Sequence, residues 1–520
     1  MNYFTAKDMQ KVDQLLRSEG QNAAEGGTDY QNSDATRMPP LADGGPMVHR
    51  RRALSPIVIS GLVRTLEFLL VLATGLIVHK IYVKPPIGTE LYYYSAILAM
   101  SFATLVIFHA LDLTQISAMR MPLRSGLRLA GGWGLVFLTA MALVFFLKLD
   151  GIFSRVWLLA WFVVGFLVLT IERTAIAFII GYLTRLGRLD RRAVIVGGGQ
   201  PSERILRDLA EQTNSDLRIY GFFDDRTDLR SPDVIAGFPK LGTVDDLVDF
   251  ARQSPVDLVI VTLPISAEQR LLQMLRKLWV LPIDIRLAAH MNKLRFRPRS
   301  YSYIGTVPVL DVFDKPIADW DLVLKATFDR VVGALCLLLV SPIMLAVAIA
   351  VKTTSSGSIL FKQKRHGFNN ETIEVYKFRS MYTNQLDLEA AKQVTRNDPR
   401  VTPVGRFIRR TSLDELPQLF NVVFKGNLSL VGPRPHVLHG KAQDRLYDKV
   451  VDGYFARHRV RPGITGWAQV NGWRGETDTP EKIQGRVEHD LYYIENWSLV
   501  FDAYILLVTP LSLIKTKNAY

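Results

Sequence analysis

V-V-G-A-L-C-L-L-L-V-S-P-I-M-L-A-V-A-I-A-V, residues 331–351, is a run of twenty-one residues without a charge. A membrane-spanning helix needs about 20 apolar residues, so on length this run crosses a bilayer. Its midpoint argues otherwise. Ser341-Pro342 stands there, and proline removes one intrahelical hydrogen bond and crowds the preceding turn. The Ser341 hydroxyl is placed to satisfy a carbonyl freed in this way. Both flanks are basic: Lys325 and Arg330 before it, Lys352, Lys362, Lys364 and Arg365 after it. Without a charge asymmetry the two ends are not assigned to opposite sides. The run therefore reads as a re-entrant helix over 328–352, broken at Ser341-Pro342, that dips into a membrane and returns.

Upstream lie four further apolar segments, 56–79, 92–111, 129–147 and 156–183. Four successive runs with charged ends read as transmembrane helices rather than buried soluble ones. Arg64 and Glu67 are three apart and expected to pair on one helix face. Glu172 and Arg173 come late in a long run, where tilt would bring them near the interface. Arg50 to Arg52, then Arg120, Arg124 and Arg128, then Arg185, Arg188, Arg191 and Arg192 mark alternate loops. The other loops carry only Lys80 and Lys84, and Lys148 and Arg155. The positive-inside rule then puts the N-terminus and everything after the fourth helix in the cytoplasm. Residues 1–52 are polar and aperiodic and read as a disordered tail.

Residues 188–312 alternate strand and helix patterns. A-V-I-V at 193–196 runs into Gly197-Gly198-Gly199, a helical pattern follows to Glu211, and apolar runs recur at 219–223, 256–263 and 283–288. This alternation predicts a Rossmann-like domain with a parallel sheet. G-G-G-Q-P-S is similar to a dinucleotide fingerprint, with Asp224-Asp225 about 25 residues on, but Ser202 stands where the third glycine belongs. Regulation or assembly is the reading set against nucleotide binding.

Downstream of the 331–351 run, residues 410–434 read R-T-S-L-D-E-L-P-Q-L-F-N-V-V-F-K-G-N-L-S-L-V-G-P-R. Ser412-Leu413-Asp414-Glu415 fits a capping box with Ser412 as N-cap, and Asp414 as N-cap is the rival register. Either places both carboxylates at a helix N-terminus, so spacing alone is satisfied by a structural role. Arg409 and Arg410 crowd against the pair, however, and such a site both ionises a carboxylate and attracts a phosphate. Successive helical positions point about 100° apart, so the two acids can take different partners. Lys364, Arg365, Lys377, Arg379, Arg396 and Arg461 are candidate pyrophosphate ligands, each with a solvated surface charge as the plain alternative. Arg434 is fixed between Pro433 and Pro435 and suits bidentate or stacking recognition. Asp490 is a helix-surface acid or a further site acid. The four histidines from His436 onward lack metal-ligand spacing and read as structural. Leu499 to Ile514 reads as an interfacial helix.

Composition bounds the classes. A formal charge of +14 fits nucleic acid or an anionic membrane, and the apolar runs favour the membrane. The single cysteine, Cys336, excludes an intramolecular disulfide and a cysteine zinc site.

F-D-R at 328, S-P at 341, F-K-Q-K-R-H-G from 361, Y-K-F-R-S-M from 376, T-S-L-D-E-L-P-Q-L-F-N-V from 411, G-N-L-S-L-V-G-P-R-P from 426, R-H-R-V-R-P-G-I-T-G-W-A-Q-V-N-G from 457 and D-L-Y-Y-I-E-N-W-S from 490 together resemble the bacterial sugar transferase family, the polyprenyl-phosphate hexose-1-phosphate transferases. The resemblance covers residues 315–520. The helices and Rossmann-like domain in front resemble the large members; smaller members lack them. The resemblance implies transfer of hexose 1-phosphate from a UDP-hexose to undecaprenyl phosphate with release of UMP, beginning a polysaccharide repeat unit. It implies Asp414 as nucleophile forming a covalent phosphosugar adduct, Glu415 as Mg²⁺ ligand, and Pro433 and Arg434 at the uridine end of the donor. A periplasmic catalytic domain would not meet a nucleotide sugar, which again favours the re-entrant helix. The G-W-A-Q-V-N-G-W-R-G-E-T stretch resembles glucose-type members, with glucose and galactose the leading sugars.

The expected architecture is thus membrane α plus α/β: a tail at 1–52, four transmembrane helices within 53–187, the Rossmann-like domain at 188–312, and a monotopic phosphoglycosyl transferase domain at 313–520. The expected location is the bacterial inner membrane, with the tail and both domains cytoplasmic. Expected partners are the two substrates, membrane lipid, a second copy of the chain and downstream glycosyltransferases, with no nucleic acid. Two rivals stand: a membrane-anchored nucleotide-sugar oxidoreductase or epimerase, which lacks a Tyr-x-x-x-Lys pair between 190 and 312, and a non-catalytic scaffold.

Overall fold

The computed structural model describes residues 54–83, 89–114, 116–119, 122–149, 151–211, 217–226, 231–263, 267–288, 302–304, 307–383, 398–437, 441–442, 445–451, 453–475 and 479–515. The expected tail at 1–52 and Arg396 lie outside them. The chain forms two compact units.

The first unit is helical: α1 (Pro56–Tyr82), α2 (Glu90–Ala110), α3 (Pro122–Phe146) and α4 (Arg155–Arg185). Helix α1 packs on α2 and α4, and α3 closes the set against both α2 and α4. Glycines admit the tryptophans that fill the core. A Cβ at Gly75 would lie 2.8 Å from the Trp161 ring, and Trp133, Trp157 and Trp161 are fully buried. The lipid-length outer faces carry exposed Leu, Ile and Phe. All four helices, and a fifth in the second unit, are long and apolar enough to cross a membrane; this is a membrane protein. One expected pair is corrected. Glu67 does not pair with Arg64 but with Arg173 of α4, while Arg64 Nε donates to Thr114 Oγ1 at 3.0 Å. Burial decides this. Glu67, Glu172 and Arg173 are all buried, and a buried charge needs a buried partner.

In the second unit, an eight-stranded sheet comes first, with β1 (Arg191–Val196), β2 (Leu217–Phe223), β3 (Val234–Ile235), β4 (Phe238–Gly242), β5 (Leu258–Val261), β6 (Asp284–Ala288), β7 (Ser302–Ile304) and β8 (Val307–Phe313) in the order β3-β4-β2-β1-β5-β6-β8-β7. Helices α5 (Gln200–Ala210), α6 (Val244–Gln253) and α7 (Glu268–Leu278) connect them. β1, β5 and β6 are parallel. The expected all-parallel sheet is corrected at its edges: β8 runs antiparallel to β6, β7 to β8, and β3 to β4. Each short edge strand, β3 and β7, is joined to the next strand through only two residues, a connection that only antiparallel pairs can use.

β8 leads into α8 (Asp319–Thr354), then β9 (Leu360–His366), β10 (Thr372–Phe378), α9 (Pro403–Arg410), β11 (Ser429–Val431), β12 (Gly463–Thr465), α10 (Pro480–Glu495) and α11 (Leu499–Lys515). The expected break at Ser341-Pro342 is corrected. Residues 319–354 stay helical through Pro342, because Ser341 Oγ donates to Leu338 O at 2.8 Å, the carbonyl four residues before the proline. One face of the middle of α8 is bare, with Leu335, Leu338 and Leu339 more than half exposed, while Leu337 and Val340 pack on the core. Its two ends are both packed on the same domain. Near the N-terminal end, Lys325 Nζ bonds Asp502 Oδ2 at 2.6 Å, Asp329 Oδ1 at 3.3 Å and Val431 O at 3.0 Å. Asp329 Oδ1 also accepts from Ser429 Oγ and Leu430 N. At the other end Met344, Val347 and Val351 pack on Phe378 and Ile408.

Among the described residues, Lys325 is the cation that hydrogen-bonds both acids of this buried network. Lys325→Met is expected to cost about 3 kcal/mol or more by stranding Asp329 and Asp502. Thermal or denaturant unfolding in detergent measures it, and adding Asp502→Asn should recover part of the loss.

Candidate active site

Glu415 is the hub. Its Oε1 accepts from Lys377 Nζ at 2.8 Å and from Arg434 Nη2 at 2.5 Å. The three residues come from three separate segments. Lys377 is near the end of β10, and its position follows from strand alternation. Opposite partners across the hairpin are Lys377 and Phe361, Val375 and Gln363, Ile373 and Arg365. One face thus presents Lys377 and Arg365 together. Arg434 follows the end of β11, where Gly463 N holds Pro433 O at 3.0 Å. Glu415 ends a single 3₁₀ turn, Leu413–Glu415.

Neither capping register is realised. Ser412 adopts a left-handed backbone, φ 59°, and its side chain caps nothing. The hydroxyl is instead taken by Arg474 Nη2. Left-handed geometry costs a non-glycine residue about 1–3 kcal/mol and tends to collect at functional sites. Buried Asn421 supports the turn from behind: its amide donates to Glu374 O at 2.7 Å, and Oδ1 accepts from Tyr376 N at 2.9 Å.

The two carboxylates are driven apart. Burial opposes ionisation of Glu415, but Arg434 and Lys377 outweigh it and hold the acid well below the usual range. Burial pushes Asp414 up to about 6, with Lys377, Arg409 and Arg434 opposing and Glu415 reinforcing. Burial and Arg434 together lower Arg365 to about 10. An ionised anchor beside a more basic carboxylate, ringed by guanidinium groups, suits attack on a phosphorus.

The other expected site residues divide. Arg409 lies close enough to bias Asp414, while Arg410 is exposed at the end of α9. Three more do not bond Glu415 in the described structure. Arg379 is buried and caps the end of α8: its guanidinium donates to Ser355 O at 2.7 Å and Ser356 O at 2.6 Å, so it is not available to a phosphate. Lys364 is exposed on the hairpin face opposite Lys377. Arg461 lies beside Asp329 and Arg330, at the root of α8. Asp490 is no surface acid. It is buried and takes Arg457 Nε at 3.0 Å and Nη2 at 2.6 Å. Arg457 Nη2 also donates to Arg434 O at 2.7 Å. Arg457 and Arg474 were not singled out by the sequence reading. Arg474, in G-W-R-G, had a signal: an arginine in a glycine-flanked turn. Buried Arg457 had none.

The G-G-G turn of the α/β domain is closed by its own acid. Asp224 Oδ2 accepts from Gly198 N at 2.8 Å, and Arg226 bonds both Asp224 and Gly198 O. Ser202 Oγ donates to Gly197 O at 2.5 Å, filling the place that a third glycine would leave open.

Residues 320–516 match the family described as bacterial sugar transferase, and residues 109–289 match a CoA-binding domain. A UDP-glucose:undecaprenyl-phosphate glucose-1-phosphate transferase of Xanthomonas campestris pv. campestris is 33% identical over 459 residues, 88% of this chain and 94% of that protein. The enzyme of the same description from Escherichia coli K12 is 36% identical over 366 residues, 70% and 76% of the two chains. An exopolysaccharide production protein, PSS, of Rhizobium leguminosarum bv. phaseoli is 47% identical over 192 residues, 37% of this chain but 96% of its own length. The chain belongs to the bacterial sugar transferase family and is a sugar-phosphate transferase.

The raised Asp414 predicts an acid limb near pH 6 in kcat/KM for the sugar-phosphate donor, above the ordinary carboxylate range. Lys377→Met removes the largest opposing charge and should move that limb to higher pH. A pH–rate profile with the limb near 4 would contradict the assignment.

Proposed function

We propose that this chain transfers glucose 1-phosphate from UDP-glucose to undecaprenyl phosphate and releases UMP, as the first membrane step of polysaccharide repeat-unit synthesis. The observation that carries the reading is the division of labour at one turn: Glu415 clamped by Lys377 and Arg434, Asp414 left unclamped beside it. The substrates are those named for the Xanthomonas and Escherichia relatives.

In this reading Asp414 Oδ attacks the β-phosphorus of the donor. The bond from that phosphorus to the bridging oxygen breaks, and UMP leaves with the electron pair. A phosphate oxygen of undecaprenyl phosphate then attacks the phosphoaspartate, and Asp414 leaves as carboxylate. Lys377, Arg434 and Arg365 offset charge on the transferring group. Arg434, braced by Pro433 and Pro435, faces the nucleotide end. The donor set suits Mg²⁺, which takes one or two carboxylates plus substrate phosphates rather than a protein cage. Glu415 Oε2 and the donor pyrophosphate would hold it, and it would neutralise phosphate charge.

Both ends of α8 rest on one domain while one face of its middle is bare and apolar. That supports a re-entrant helix. Four crossing helices in front, and both globular parts on the cytoplasmic face of the inner membrane, follow from the loop charges. A homodimer and downstream glycosyltransferases are the proposed partners. The oxidoreductase rival is disfavoured by a loop whose amide is already occupied by Asp224; the scaffold rival requires that Asp414 and Glu415 be dispensable.

Ping-pong kinetics are expected, with parallel lines in double-reciprocal plots. Asp414→Asn should lower turnover on the order of 10³-fold or more. Intersecting lines and a ternary complex would point to direct transfer. For topology, with Cys336→Ser as background, single cysteines at 321 and 356 should both react with an impermeant maleimide from the cytoplasmic side only; labelling from opposite sides would establish a spanning helix.

A further inference from the structure

The segment Tyr454–Arg459 is a 3₁₀ stretch with two working faces. Toward the active site it sends Arg457, which is fully buried. Arg457 holds Arg434 O at 2.7 Å, Asp490 at 2.6 Å and, through Nη1, His436 Nδ1 at 2.6 Å. Pro433 and Pro435 stiffen the backbone around Arg434. A shift of that carbonyl is therefore passed to the guanidinium that clamps Glu415.

The other face of the segment meets the α/β domain. The Trp279 indole, at the end of α7, packs on Gly453, where φ is +69° and no Cβ would fit. The Arg252 guanidinium of α6 lies 4.9 Å from the centre of the Phe455 ring. Arg459 Nη2 donates to Asp314 O at 3.2 Å, and beside the segment, between β9 and β10, Asn369 Nδ2 donates to Ala251 O at 3.0 Å. The apolar core is continuous across this junction, from Trp279 and Leu281 to Tyr454 and Ala456.

We propose that the α/β domain positions the active-site arginine: Arg252 and Trp279 set the 453–459 segment, and Arg457 carries that setting to Arg434. Arg252, Trp279 and Arg457 are positioning residues and touch no substrate. The Rhizobium relative matches over almost its whole length but over only 37% of this chain, so not every relative carries all of these parts. The contact tunes the site, and a rearrangement of the α/β domain would alter donor affinity. The proposal rests on the functional reading above only for the identity of the donor.

The test is a double-mutant cycle on the full-length protein in detergent. Arg252→Ala removes a cation–π contact and should weaken UDP affinity, read by calorimetry, about 3- to 10-fold. KM for UDP-glucose should rise in parallel, with a smaller change in kcat. Phe455→Leu removes the same contact from the other side and should reproduce the effect. In an Arg434→Lys background, Arg252→Ala should add less than about twofold, because its effect runs through Arg434. Full additivity, or Arg252→Ala and Phe455→Leu leaving UDP affinity unchanged with an unaltered unfolding midpoint, would overturn the proposal. Wild type that binds UDP without releasing UMP from UDP-glucose would overturn the donor assignment instead, and the cycle would still be read in UDP affinity.

Discussion

Everything at the site depends on one carboxylate oxygen. Glu415 Oε1 receives both Lys377 and Arg434, and so ties the β9–β10 hairpin, the 3₁₀ turn and the end of β11 into one object. A charge buried among two cations is stable only while both stay in place. The same clamp leaves Asp414, one residue earlier, with no equal claim on those cations. Burial, reinforced by Glu415, then outweighs Lys377, Arg409 and Arg434 and raises its proton affinity. Two adjacent acids with opposite shifts are a consequence of which one the hairpin lysine and the proline-braced arginine can reach.

The membrane helix serves this arrangement at both ends. Lys325 and Asp329 bind the strand that delivers Arg434. Arg379, two residues beyond Lys377, gathers the last carbonyls of the helix. The hairpin lysine and the strand arginine that meet on Glu415 are thus each fastened to opposite ends of the same apolar helix. The bare face of its middle is the part that lipid would cover. Ser341 keeps that middle helical where Pro342 would open a carbonyl.

Much of this was legible in the sequence, for reasons of local chemistry. Apolar run length gave the helices, and strand–helix alternation gave β1, β2, β5 and β6. The crowding of charges near 414 marked the site, and prolines marked Arg434. What was not legible depends on tertiary pairing. Arg379 and Lys377 look equivalent in Y-K-F-R and, two positions apart, fall on the same side of a strand, so only the end of α8 separates a site lysine from a cap. Lys364 and Arg365 are adjacent, and alternation sends them to opposite faces. Ser412 fits a capping box by spacing, but a left-handed backbone and Arg474, sixty-two residues away, claim it. Glu67 sits three residues from Arg64, and a helix more than a hundred residues later supplies its partner. Short edge strands such as β7 carry too few residues for a pattern.

The central claim is that Asp414 carries the sugar phosphate between the two substrates. Incubating the purified protein with UDP-glucose alone, quenching in acid and mapping peptides by mass spectrometry tests it most directly. The account predicts a hexose phosphate on the peptide containing Asp414, absent from Asp414→Asn and discharged by undecaprenyl phosphate. A fully active enzyme that releases no UMP until the lipid is added, and never carries that mass, would contradict it.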